Sequence, residues 1–251
     1  MEKKFTLTHR ILMPEVDISY HCRPDILLAL MQEAVGKHNK TLGIGRLQMR
    51  PYNIIWMIAA TQFHVTSYPI LGETIRIETW CGPIEKATQP RNFKFYRECG
   101  ECFGYASSAW MMVDKIKKKI LLQSKLPFQL QDISGEALPL PEAIYCRVNK
   151  DDHVPVYTTR IPQYSDIDLN GHLNNAGYMR WVEDLFDLDR HRNHFLSDFN
   201  IHYSSEAKPG SPVLLYLMED GLSFSIVGEH PSSARVFEAR GTFAPRSIKE
   251  N

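Results

Sequence analysis

The chain has 251 residues, 43% of them hydrophobic, enough for a buried core in one large domain or two ordinary ones. Its 29 Lys+Arg balance 29 Asp+Glu, so no basic field draws it to nucleic acid or an anionic membrane. The longest apolar run, Ile54 to Ala60, is far short of the ~20 residues of a bilayer span, and Met1-Glu2-Lys3-Lys4 passes into an alternating pattern without a targeting signal.

Five scattered cysteines argue against a disulfide framework and, with those absences, lead us to expect a cytoplasmic protein. Phe5 to Met13 alternates as a strand. Pro24 to Val35 reads as a helix that is apolar nearly all round and stops by Gly43. Strands are expected at Ile54 to His64, Thr74 to Trp80, Asn92 to Glu98 and Phe103 to Val113, separated by Pro69, Gly72, Pro83, Pro90 and Gly100. Cys99-Gly100-Glu101-Cys102 has CxxC spacing, but its place between two strands makes it a hairpin turn.

The basic run Lys115 to Lys119 precedes a weakly periodic, proline-bearing stretch. We therefore divide the chain into an N-terminal domain over 1–125, a linker over 126–150 and a C-terminal domain over 151–251. In the second half a strand at His153 to Arg160 leads to a polar turn. A helix follows, with the stripe Tyr178, Trp181, Val182, Leu185 and Phe186, then strands at Asp198 to Ser204, Pro212 to Met218, Leu222 to Val227 and Arg235 to Phe243.

Strand, helix, four strands thus occurs twice. Asp17 to His21 corresponds to Asp168 to His172, and Phe63 to Tyr68 corresponds to Ile201 to Glu206. An antiparallel meander following one apolar helix can hide that helix by curling around it. The expected fold is therefore α+β: a tandem, or double, hot-dog, each half a long central helix wrapped by a curved antiparallel sheet. Whether the tandem chain pairs again as a homodimer stays open.

Asp168, Asn170 and His172 alternate, so on an extended segment a carboxylate, an amide and an imidazole share one face. Such a set can polarise a carbonyl and handle a proton, histidine being the residue type whose reference value lies nearest neutrality. Asn174 and Asn175 then open a helix whose free N–H groups suit an oxyanion. A metal reading of this motif is poor, because Asn is a weak ligand. Glu206, at a strand end before a turn, reads on its own as a surface residue.

The pattern Asp168-x-Asn170-x-His172-Leu173-Asn174-Asn175-x-x-Tyr178-x-x-Trp181 resembles the signature of the acyl-ACP thioesterases, the family that includes the plant plastid enzymes terminating fatty-acid synthesis. Trp56, Tyr68-Pro69, Gly72-Glu73, Glu78-Thr79-Trp80 and Ala106 to Val113 with the basic run after it resemble that family's N-terminal half, so the likeness covers about residues 5 to 245. The resemblance implies a tandem hot-dog hydrolase without cofactor. Its substrate would be a fatty acyl phosphopantetheine thioester on acyl carrier protein, with Asp168, Asn170, His172 and Glu206 catalytic. It also implies that the first half shapes an acyl pocket, for which Leu30, Met31, Trp56 and Met57 are candidates. The family's Cys after the Glu is Ala207 here, which removes a sulfur nucleophile and favours attack by water. An acyl-CoA thioesterase and a non-catalytic acyl-ACP binding protein are the competing readings.

Overall fold

The first half runs β1 (Phe5–Arg10), α1 (Pro24–Thr41), a one-turn α2 (Arg46–Met49), β2 (Ile54–Val65), β3 (Thr74–Cys81), β4 (Thr88–Arg97), β5 (Cys102–Asp114) and a short β6 (Lys119–Ile120). The second half runs β7 (Thr158–Arg160), α3 (Asn175–Glu183), α4 (Leu188–Asn193), β8 (His194–Tyr203), β9 (Val213–Asp220), β10 (Ser223–Glu229) and β11 (Arg235–Pro245). This is a computed structural model, and it describes residues 3–83, 87–126, 128, 138–140, 145–150 and 154–246.

Helix α1 carries Pro24 in its first turn, where the missing N–H costs nothing, and ends at Leu42 before Gly43, whose φ of 74° only glycine adopts cheaply. Leu27, Leu28, Met31, Ala34 and Val35 are all buried, as its all-round apolar pattern requires. Two expectations change. Pro90 lies inside β4 rather than between strands: the β3 ladder ends at Cys81 opposite Arg91, and beyond it the Pro90 carbonyl only accepts the Gly82 N–H at 2.8 Å, a bond that needs no donor on Pro90. The second helix is also short, nine residues against eighteen in α1, and Leu185 and Phe186 pack from the turn that follows it.

The strands among the described residues form one antiparallel sheet in the order β1-β3-β4-β5-β2-β8-β11-β10-β9-β7, with β6 on β5. The halves join where β2 meets β8, and the register there is informative. Gln62 lies opposite Asn200, with Thr61 opposite Ile201 and Phe63 opposite Phe199. If Phe63 corresponds to Ile201, each residue therefore faces the equivalent of its mirror neighbour, as a two-fold axis through the junction demands. A single apolar core spans both halves, including Phe63, Phe93 and Phe95 from the first and Trp181, Phe199 and Phe237 from the second. The result is the double hot-dog, with α1 and α3 lying against each other inside the curved sheet.

One strand prediction and the linker touch undescribed residues. His153 and residues 127, 129–137 and 141–144 lie outside the described set, and β7 begins only at Thr158. Residues 145–150 run along the second half, where the Val148 N–H donates to Glu238 Oε1 at 3.2 Å and Lys150 Nζ to Glu229 Oε2 at 2.6 Å. Cys99 is exposed beside Gly100 in the β4–β5 turn, and all five cysteines are free. No helix among the described residues is long and apolar enough to cross a membrane.

Candidate active site

The polar stretch before α3 is not extended. It folds as a tight turn around the Asp168 carboxylate, whose Oδ1 accepts the N–H groups of Asn170 at 2.7 Å and His172 at 3.2 Å. Oδ2 accepts the Asn170 side-chain amide at 3.2 Å, and the Asp168 N–H closes the loop on the His172 carbonyl at 2.8 Å. Gly171 makes the turn possible at φ 84°. Asp168, Asn170 and His172 are thus held together by Asx-type hydrogen bonding, a stronger constraint than alternation on a strand would give.

Asn174 then caps α3: its Oδ1 accepts the Ala176 N–H at 2.8 Å, and its own N–H donates to Asp166 O at 2.8 Å. Arg180, one turn on, bridges Asp166 at 3.2 Å and the buried Asp25 of α1 at 3.6 Å, locking the loop and both helices in one unit.

Glu206 arrives from the chain leaving β8, with Oε2 3.0 Å from His172 Nε2. Both side chains are about one-third exposed, at 32% and 34%, so water reaches the pair. Ala207 beside it is buried: its carbonyl accepts the Leu173 N–H at 3.2 Å, and its N–H donates to the Tyr178 hydroxyl at 3.2 Å. Burial pushes that phenol up to about 12, so it stays neutral and able to accept. Sequence reasoning placed Tyr178 in the packing stripe and in the family signature but gave its hydroxyl no role.

Asn175, first residue of α3, reaches a narrow cavity walled by Leu28, Met31, Ile58, Phe93 and Trp110 and by the polar Gln32, Thr61, Ser108 and Tyr203. Of the four apolar candidates, Met31 lines it. Leu30 is buried in the main core, Met57 is half-buried opposite Met111, and Trp56 donates to the Ile44 carbonyl at 3.0 Å within a separate cluster. A wider hollow, about 510 Å³, lies over β8 to β11 near Asp198 and Arg240 and touches none of the four proposed catalytic groups. Among the described residues no three His, Cys, Asp or Glu side chains converge to hold a metal.

The loop occurs twice. Asp17 Oδ1 accepts the N–H groups of Ser19 at 2.8 Å and His21 at 3.0 Å, and the Cys22 N–H donates to the Pro69 carbonyl at 2.8 Å as Leu173 does to Ala207. Pro69 therefore stands for Ala207 and Tyr68 for Glu206, and the buried Tyr68 hydroxyl donates to Leu196 O at 2.9 Å. The first half keeps the loop but lacks the acid.

Two family models cover most of the chain: the acyl-ACP thioesterase N-terminal domain matches residues 2–123 and the acyl-ACP thioesterase C-terminal domain residues 150–232. The chain belongs to the acyl-ACP thioesterase family. A chloroplastic palmitoyl-acyl carrier protein thioesterase from Gossypium hirsutum is 27% identical over 199 residues, spanning 72% of this chain and 47% of the relative. The chain thus spans about half the length of the curated relatives it matches. Two solved structures share the fold of this acyl-ACP thioesterase family member. An acyl-ACP thioesterase from Bacteroides thetaiotaomicron superposes with a TM-score of 0.88 at 22% identity, covering 96% of this chain and 98% of the other. The 12:0-ACP thioesterase from Umbellularia californica gives 0.82 at 20% identity, covering 98% and 99%.

Proposed function

We propose that this protein hydrolyses fatty acyl thioesters of acyl carrier protein, releasing a free fatty acid and the carrier's phosphopantetheine thiol. The observation that carries the reading is the His172–Glu206 pair at 3.0 Å, open to water and seated on the turn that also presents Asp168 and Asn170. In this reading Glu206, assisted by His172, takes a proton from water, whose oxygen attacks the thioester carbon. The Asn170 amide and the Asn175 N–H at the start of α3 hold the oxyanion, with Asn174 fixing that helix end through the Ala176 N–H. Collapse of the tetrahedral intermediate breaks the C–S bond, and the thiolate takes the proton back. Asp168 acts on geometry, by fixing the turn. No sulfur attacks, because Ala207 has none.

The first domain, over 1–125, shapes the acyl pocket and the second, over 151–251, carries the chemistry. In support, the cavity takes most of its wall from α1, β2, β4 and β5 and only Asn175 and Tyr203 from the second half. It has room for at most about one water molecule, so a long chain enters only as Met31, which is unbranched and flexible, turns aside. We place the reaction in the cytoplasm, in keeping with five free cysteines.

Glu206→Gln keeps the shape and removes the base, and should lower acyl-ACP turnover by about 10²–10⁴-fold. Turnover near the native rate would remove Glu206 from that role. The same assay run with acyl-CoA separates the two carriers, and tight acyl-ACP binding without release of acid would establish the non-catalytic alternative.

A further inference from the structure

The cavity beside the site is built for more than a hydrocarbon chain. Half of its lining is polar: the Asn175 Nδ2 is buried with no hydrogen-bond partner, and the buried Tyr203 hydroxyl meets the Thr61 side chain of the same lining. A buried donor without a partner costs about 1–3 kcal/mol, so an orphaned amide that shares one small space with a phenol marks a place where an oxygen belongs. A saturated acyl chain offers none. Thr61 and Gln32 line the same space, and Ser108 already accepts the Trp110 indole N–H at 2.7 Å, which keeps its own hydroxyl proton free to turn inward.

Position along the substrate follows from the chain. Asn175 is three residues beyond His172 and Tyr203 is three residues before Glu206, so the two groups stand on the same two segments that carry the proton-transfer pair. An oxygen meeting both lies within a few bonds of the thioester. The amide can only donate here, whereas the phenol can donate or accept, and a hydroxyl on the acyl chain satisfies both at once.

We propose that the preferred substrates are acyl chains bearing an oxygen close to the thioester, of the 3-hydroxyacyl class, with Asn175 and Tyr203 as the groups that recognise it. This rests on the thioester-hydrolase reading above and names the substrate class of that site. The reaction that supplies such a substrate is one that leaves a hydroxyl at the third carbon of a carrier-bound chain.

The test compares saturated and 3-hydroxyacyl-ACP of equal chain length, using the full-length protein, Tyr203→Phe and Asn175→Leu. The native protein should favour the hydroxylated chain by about tenfold in kcat/KM, through KM. Each variant should lower that ratio several-fold. Tyr203→Phe removes one oxygen and keeps the ring, so it carries the test even where Asn175→Leu does not fold. A native ratio near one, or a ratio that survives both substitutions, overturns the proposal. So does an equal loss on both chains in Asn175→Leu, which would put the amide on the thioester carbonyl. Hydrolysis of neither chain by the native protein would instead sink the thioesterase reading itself.

Discussion

At the scale of single residues, the site depends on groups that hold others in place. Tyr178 touches no proposed catalytic atom, yet its hydroxyl accepts the N–H of the residue after Glu206 and so fixes where that strand leaves the helix. Tyr178→Phe leaves a buried N–H unmatched, which should cost about 1–3 kcal/mol of stability. If the hydroxyl positions Glu206, kcat falls while KM barely moves; if it only packs, thermal melting shifts and turnover of the folded protein does not. The sequence made Asp168 and His172 visible because they lie in one short polar run. It hid Glu206, which reads as a surface carboxylate until the fold brings it 3.0 Å from His172; the internal repeat marks it as a difference between the halves, and the family resemblance gives it a role. Tyr203 had no signal at all, since a lone Tyr in an alternating strand looks like packing.

At the scale of elements, the charged seam between α1 and α3 sets a pH dependence. Glu183 on α3 titrates well above the ordinary carboxylate range, chiefly through burial and then through Asp25 on the facing helix. The native state therefore holds the Glu183 proton more tightly than the unfolded chain does. Stability from this group is present below the unfolded value near 4.5 and is lost as pH rises through the raised native value. Glu183→Gln, fixed neutral, should raise the melting temperature at pH 7 to 8 and bring no gain at pH 4. A gain of equal size at both would show that the substitution acts through packing. Strands were legible because alternation on a half-buried sheet is a local signal. The length of α3 was not, because Leu185 and Phe186 stay in the core after the helix has ended, and burial alone cannot tell a last turn from a following loop.

At the scale of the whole molecule, one sheet and one core serve both halves, joined by the β2–β8 ladder and the Phe63–Phe199 contact with centroids 5.7 Å apart. Unfolding should therefore be a single cooperative transition, with fluorescence and circular dichroism coincident in urea. Two separated transitions would mean that the halves are independently stable. Phe199→Ala should move the whole transition by about 3–5 kcal/mol. The tandem layout was readable from the repeated element order, but the pairing register that makes the repeat a two-fold was not, since it is a contact between distant segments. The retained first-half loop has a consequence for engineering. Its Asp17 Oδ2, the counterpart of the oxygen that Asp168 gives to Asn170, is bound at 2.5 Å to Arg246, just beyond β11. The retired loop has become a clip for the far end of the chain. Grafting a second set of reactive groups there, with Ser19→Asn and Tyr68→Glu, would pit the new amide against that guanidinium, so a two-site version of this protein needs a different fastening for its last strand.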